Sequence, residues 1–174
     1  RVTRWDERRS VSMHDAHLAA LHVTLTAENW SGRLTLRSAI DGGVVNWGVK
    51  RYRELAGRHL EVLATDCDAG NVLSLRSRFV QARREVALAA RTRVELDGTG
   101  IAPTRQEALS VGAETEFDVD LPQGRPLHVE KVAAYYNSED HAVAEPMHEA
   151  CRAVRRAGNR SEEHTSELQS LLII

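Results

Sequence analysis

One stretch of the sequence, residues 86–96, constrains the fold more than any other, because its apolar and polar side chains alternate. Val, Leu or Ala occupies every even position except Thr92, while Arg91, Arg93 and Glu95 occupy odd positions. Successive side chains of a strand point to opposite faces, whereas a helix requires a period of about 3.6 residues. The stretch therefore predicts a strand with one face in a core and a charged opposite face.

Shorter stretches repeat this alternation, and turn sequences separate them. The alternating stretches are residues 21–25, 33–40 and 116–121, and the turns are NWSG at 29–32, DGG at 41–43, DGTG at 97–100 and PQG at 122–124. Strands that recur about every ten residues, without helical patterns between them, predict an antiparallel sandwich or barrel. We expect a mainly β fold, an antiparallel β-sandwich over residues 1–137.

The pattern changes after this point. Residues 137–140 (NSED) indicate a turn, and Pro146 suits the first turn of a helix. Apolar side chains then recur at the spacing of one helical face, at Met147, Ala150, Cys151 and Val154. Gly158 is expected to follow the last helical residue. Residues 138–159 are thus predicted to form a turn and a C-terminal helix that leads out of the sandwich.

Composition excludes several classes of protein. The chain has 174 residues, enough for one domain, and its net charge of −2 gives no basis for binding nucleic acid or an anionic membrane. Its apolar runs are shorter than the roughly 20 residues that a membrane-spanning helix needs. Cys67 and Cys151 lie far apart and outside any CxxC pattern. This spacing favours a reducing, cytoplasmic location over a disulfide framework.

Few side chains form a catalytic or metal-binding pattern. His14 and His17 do not converge on a strand, and His22 joins His17 only on a helix, so no metal site is expected. Ser10, Asp15 and His17 contain the residue types of a catalytic triad but lack a nucleophile elbow. We therefore expect no catalytic residue, no metal and no cofactor in this chain.

Two further motifs have structural explanations. Residues 97–100 contain a GxG but lack the third glycine and the following helix of a dinucleotide-binding loop, so we interpret them as a turn. Glu114, Glu116 and Asp118 supply carboxylates, and glycoside hydrolysis uses a pair of these at a fixed separation. They alternate along one predicted strand, which is typical of a solvated face.

Aromatic residues give the strongest indication of a binding surface. Residues 46–53 (NWGVKRYR) combine amide, indole, phenol and guanidinium groups. The faces of Trp and Tyr rings stack on sugar rings and bury a large area. Asn46, Trp47, Arg51 and Tyr52 are therefore candidates for a surface that faces a sugar or a partner domain. Packing within the domain is the alternative interpretation.

Several segments resemble the N-terminal domain of glycoside hydrolase family 65 in both order and spacing. They are RS at 9–10, DAHLAAL at 15–21, NWSGRLTLRSAIDG at 29–42, NWGVKRY at 46–52, RHLE at 58–61 and VEKVAAYY at 129–136. The resemblance implies a sandwich of the galactose-mutarotase-like type, followed by a helical linker, a catalytic α/α barrel and a small C-terminal sheet domain.

The resemblance also implies a function. Family 65 contains phosphorylases and hydrolases of α-glucosides such as maltose, trehalose and kojibiose. In the phosphorylases, a glutamic acid of the barrel protonates the glycosidic oxygen while inorganic phosphate attacks the anomeric carbon. No position in this sequence matches that glutamate. We expect a fragment, clipped at its N-terminal edge and inactive alone, that supports the barrel and shapes the active-site rim or the interface of a homodimer.

Two other functions are left open by the sequence. A stand-alone carbohydrate-binding sandwich requires an exposed, coplanar platform of aromatic rings. A mutarotase-like enzyme requires a histidine and a carboxylate that converge in a cleft.

The last residues are interpreted separately. RSEEHTSELQS at 160–170 resembles the conceptual translation of a sequencing adapter. We interpret residues 160–174 as an artefactual tail without function, and expect the genuine sequence to end near Asn159. A natural polar tail is the alternative.

Overall fold

The computed structural model describes residues 1–45, 57–141 and 143–160, and this part of the chain forms ten strands and one helix. In chain order these are β1 (Thr3–Val11), β2 (Leu18–Ala27), β3 (Gly32–Asp41), β4 (Leu60–Cys67), β5 (Val72–Phe79), β6 (Glu85–Leu96), β7 (Thr99–Ile101), β8 (Arg105–Leu109), β9 (Gly112–Leu121), β10 (Pro126–Asn137) and α1 (Pro146–Arg160).

The strands form two antiparallel sheets, which confirms the predicted mainly β fold with a C-terminal helix. The larger sheet has the order β1-β2-β10-β6-β5-β4, and the short strand β7 pairs with the end of β6. The smaller sheet has the order β3-β9-β8. At the β6–β7 turn, Asp97 and Gly98 have φ angles of 51° and 76°. Positive φ at both central residues is the geometry of a tight hairpin, so the predicted turn is confirmed.

The main apolar core lies between the two sheets. Phe117 and Leu121 of β9 pack against Val94 of β6 and Leu127 of β10, and all four side chains are almost fully buried. Val94 is one of the even positions of the stretch that predicted a strand, and it pairs with Val129 of β10. The apolar face of that stretch is therefore in the core, as its alternation predicts.

Helix α1 covers part of the opposite face of the larger sheet. Its apolar side chains, which include Met147, Ala150, Cys151 and Val154, pack against Val72, Ala87, Ala89 and Ala134. The predicted helical face is thus confirmed. The prediction that the odd-numbered face of β6 is charged and solvated holds for only part of the strand. Ala87 and Ala89 lie on this face, and α1 covers them. The helix also continues to Arg160 instead of ending before Gly158.

Candidate functional site

The predicted sugar- or partner-facing surface cannot be placed in the fold. Asn46, Trp47, Arg51 and Tyr52 all lie outside the described residues. The structure does describe the turn that follows β3, where Asp41 Oδ1 accepts a hydrogen bond of 2.7 Å from the backbone N–H of Gly43.

The acidic residues of β9 lie on the outer face of the smaller sheet, as their alternation predicts. The Arg33 guanidinium lies 2.9 Å from an Asp118 carboxylate oxygen, and Arg105 lies within 4 Å of both Glu114 and Glu116. A hydrogen bond from the Thr35 hydroxyl, followed by that from Arg33, lowers the pKa of Asp118. A glycosidic general acid needs a raised carboxyl pKa, so Asp118 does not meet this requirement. Glu114 is only 8% exposed, so the predicted solvated face is not solvated along its whole length.

The residues of the possible triad do not form a relay. The Asp15 carboxylate accepts a hydrogen bond of 3.0 Å from the backbone N–H of His17, not from its ring. The ring Nδ1 of His17 instead donates to the Tyr135 carbonyl oxygen at 2.8 Å. Since the carboxylate does not orient the imidazole, these residues lack the geometry that activates a serine.

A histidine and a carboxylate meet on the face of the larger sheet beyond α1. His22 Nδ1 lies 3.9 Å from Glu130 Oε2, and the His22 side chain is 45% exposed. Nearby, burial lowers the pKa of Arg91, and the positive charge of Arg93 lowers it further. His22 and Glu130 thus form a surface pair, which does not provide the enclosed acid–base pair of a mutarotase-like enzyme.

A polar layer lies between the sheets. The hydroxyls of Ser38 and Thr92 are 2.7 Å apart and form a buried hydrogen bond. Lys131 of β10 points toward the smaller sheet, where its Nζ donates to the Ala39 carbonyl oxygen at 2.6 Å. Burial lowers the pKa of this ammonium group. The layer joins the two sheets through side chains, and we assign it a structural role.

A cavity of about 470 Å³ lies beside α1. Its lining comes from the β1–β2 connection, the start of β2, the end of β10 and one face of the helix: Asp15, Leu18, Tyr136, Glu149, Arg152, Ala153, Arg156 and Ala157. No histidine is among these residues. We refer to this feature as the helix cavity.

The helix cavity combines carboxylates, guanidinium groups and one phenol. Glu149 and Arg152, three residues apart on α1, form an ion pair. Burial raises the pKa of the Tyr136 hydroxyl, and the negative charges of Asp15 and Glu149 raise it further. The Tyr136 hydroxyl therefore remains protonated at neutral pH, and a protonated phenol can donate a hydrogen bond.

Sequence reasoning did not identify the helix cavity. Its lining residues are far apart in the chain, and only the docking of α1 on the sheet brings them together. One signal was present: Glu149, Arg152 and Arg156 follow the spacing of one helical face beside the apolar face. That spacing alone is equally typical of a solvated helix surface.

Among the described residues, no group of three or more His, Cys, Asp or Glu side chains is placed to hold a metal ion. The described helix is also not long and apolar enough to cross a membrane.

Comparison with known proteins adds a sequence relationship to this geometry. A family model described as "Glycosyl hydrolase family 65, N-terminal domain" matches residues 1–171. Two curated proteins from the CDC 1551 and H37Rv strains of Mycobacterium tuberculosis, both named uncharacterized glycosyl hydrolases, are 34% identical to the chain over 163 residues. These alignments cover 93% of this chain and 12% of each relative, so the chain spans a small part of their length.

A solved structure shares the fold. This protein, from the human microbiome, carries the provisional name kojibiose phosphorylase and matches with a TM-score of 0.72. The match covers 90% of this chain and 19% of that chain, at 11% sequence identity. At so low an identity, the likeness concerns the fold alone.

Proposed function

We propose that this chain, which belongs to the N-terminal domain family of glycosyl hydrolase family 65, serves as a non-catalytic supporting domain of a longer enzyme. In this proposal the parent is a cytoplasmic glycoside phosphorylase or hydrolase that acts on α-glucosides, with inorganic phosphate as the second substrate of a phosphorylase. The domain packs against the catalytic barrel of the same polypeptide and contributes to the active-site rim or to a homodimer interface.

The exposed edge strand β1, on which Trp5 and Val11 flank a charged stretch, is the observation that carries this proposal. Trp5 and Val11 of β1 are 56% and 66% exposed, and Met13, just beyond the strand, is 78% exposed. Among the described strands, β1 pairs only with β2, so one edge of the strand has no strand beside it. An exposed edge that carries large apolar side chains favours contact with another polypeptide surface.

The occupant that we propose for this surface is another part of the parent polypeptide. The curated relatives are much longer than this chain, which covers 12% of each. The charged outer face of the smaller sheet is a poorer candidate, because its carboxylates already lie beside arginines. Packing along β1 buries Trp5 and Val11 and leaves the charged face in water.

A stand-alone carbohydrate-binding function based on an aromatic platform has less support. Trp5 lies opposite Leu25 of β2. The backbone N–H of Tyr135 donates to the carbonyl oxygen of His17, which precedes Leu25 by eight residues in the chain. At about 3.3 Å per residue, the two exposed rings are about 26 Å apart along the sheet. Trp30 is covered by the Arg1 guanidinium, 5.5 Å from its ring centroid. These described rings do not form one platform.

The proposal is tested by hydrogen–deuterium exchange of β1 in two forms, this chain alone and the parent protein. We expect the β1 amides that do not pair with β2 to be protected only in the parent. The amides of β3, which is an edge strand of the smaller sheet, serve as the internal control and are expected to exchange alike in both forms.

A second measurement addresses catalysis. The isolated chain is expected to release neither glucose nor glucose 1-phosphate from maltose, trehalose or kojibiose, with or without phosphate. Turnover by the isolated chain, or identical β1 exchange in the two forms, would contradict the supporting role.

A further inference from the structure

We propose that the helix cavity is a binding site for a neutral saccharide of about the size of a hexopyranose or disaccharide. This function goes beyond the supporting role and does not depend on it. The site is distinct from the predicted surface at Asn46, Trp47, Arg51 and Tyr52.

The size of the helix cavity fits such a ligand. Its volume of about 470 Å³ falls within the roughly 300–1,000 Å³ of typical small-molecule pockets. Leu18 and Ala153 provide apolar contact in its lining, while Asp15 and Arg156 provide polar groups. A sugar ring also combines apolar and polar parts, since its C–H groups are apolar and its hydroxyls lie around its edge.

The charges of the lining favour a neutral ligand. The carboxylates of Asp15 and Glu149 balance the guanidinium groups of Arg152 and Arg156. A phosphate would meet two carboxylates, and a cation would meet two guanidinium groups. The hydroxyls of a sugar, in contrast, can donate hydrogen bonds to carboxylates and accept them from guanidinium groups. The two oxygens of a carboxylate, or two N–H groups of a guanidinium, can bind two adjacent hydroxyls.

Several lining groups are held in place before a ligand binds. Tyr136 stacks on His17, with a centroid distance of 3.9 Å. One oxygen of Asp15 is fixed by the backbone N–H of His17. In contrast, the Arg156 side chain is exposed, and none of the described residues forms a hydrogen bond or ion pair with it. Because Tyr136 and Asp15 are already held in place, the ordering cost of binding falls mainly on Arg156.

The test is a nuclear magnetic resonance titration of the chain with maltose and, separately, D-glucose. We expect saturable shifts at the amides of Ala153 and Ala157. Asp15→Asn keeps the oxygen that accepts from His17 but removes the charge, and Arg156→Met removes the available donor. Each substitution is expected to weaken binding roughly tenfold, the size of one lost hydrogen bond to a charged group.

The matched control is Arg8→Met, which changes an exposed arginine outside the helix cavity and is expected to leave the affinity unchanged. The spectrum of each variant without ligand establishes that it is folded. The proposal is overturned if neither sugar gives saturable shifts, if the cavity substitutions leave the affinity unchanged, or if inorganic phosphate binds there more tightly than the sugars. None of these outcomes alters the exchange of β1, so failure of the saccharide site is distinct from failure of the supporting role.

Discussion

The imidazole of His17 lies flat against the ring of Tyr136, with centroids 3.9 Å apart and planes that differ by 11°. The same imidazole donates to the Tyr135 carbonyl oxygen. A stacked pair contributes about 1 kcal/mol beyond burial, and a hydrogen bond contributes about as much. His17→Ala is therefore expected to lower the free energy of unfolding by about 2 kcal/mol, as measured by urea denaturation. His14→Ala is the control, and an equal loss in both variants would show that the stacked pair is not what stabilises the fold.

Asp68 connects the β4–β5 turn to α1, and this connection predicts a dependence of stability on pH. Burial of the Asp68 carboxyl opposes ionisation, but hydrogen bonds from Arg155, Val72 and Gly70 prevail and lower its pKa. A lowered folded-state pKa stabilises the protein above the unfolded-state value of about 3.9, and this stability is lost as the pH falls through the folded-state pKa. Asp68→Asn is therefore expected to be less stable than the wild type at pH 7 and equally stable in strong acid.

Urea denaturation at both pH values measures this effect. Asp68→Ala provides a second comparison, because it also removes the oxygen that accepts from the backbone N–H groups of Gly70 and Val72. It is expected to be the less stable of the two variants at every pH. A stability difference for Asp68→Asn that does not change with pH would contradict the role assigned to the charge.

Local patterns predicted four of the ten described strands, β2, β3, β6 and β9, as well as the helix. In these elements the alternation or the helical spacing shows which face is apolar. Residues 86–96 alternate because β6 lies in the middle of a sheet with a core on one side. The end of α1 was less predictable. Gly158 is a frequent residue beyond a helix, but glycine is permitted in a helix, and α1 continues past it.

Relationships between distant elements were not predictable in the same way. Ala87 and Ala89 lie on the face of β6 that the alternation marks as polar, and their small size leaves room for α1. Whether these alanines contact α1 depends on where the helix docks, which the local sequence pattern does not determine. The helix cavity depends on the same docking, because Asp15 and Arg156 become neighbours of one space only after the helix lies on the sheet.

The ammonium group of Lys131 predicts a second dependence of stability on pH. Burial lowers its folded-state pKa, so the folded protein releases this proton before the unfolded chain does. Wild-type stability should therefore rise relative to Lys131→Met as the pH increases toward the unfolded-state value of about 10.4. Urea denaturation at pH 7 and in mild alkali measures the difference between the two proteins. A difference that stays constant over this range would show that the ammonium group is not destabilised by the fold.

The close pairing of β3 and β9 leaves no room for a side chain at Gly112. A Cβ atom at this position would lie 2.4 Å from the Ile40 carbonyl oxygen. Because that oxygen belongs to the backbone, no side-chain rotation relieves the collision, and the two strands must separate. Gly112→Ala is expected to lower the free energy of unfolding by about 1–3 kcal/mol, the usual cost of overpacking. Gly100→Ala is the matched control, since a Cβ there meets no atom within 4 Å. Thermal denaturation of both variants is the measurement, and a Gly112→Ala protein as stable as Gly100→Ala would show that β9 does not approach β3 as closely as this.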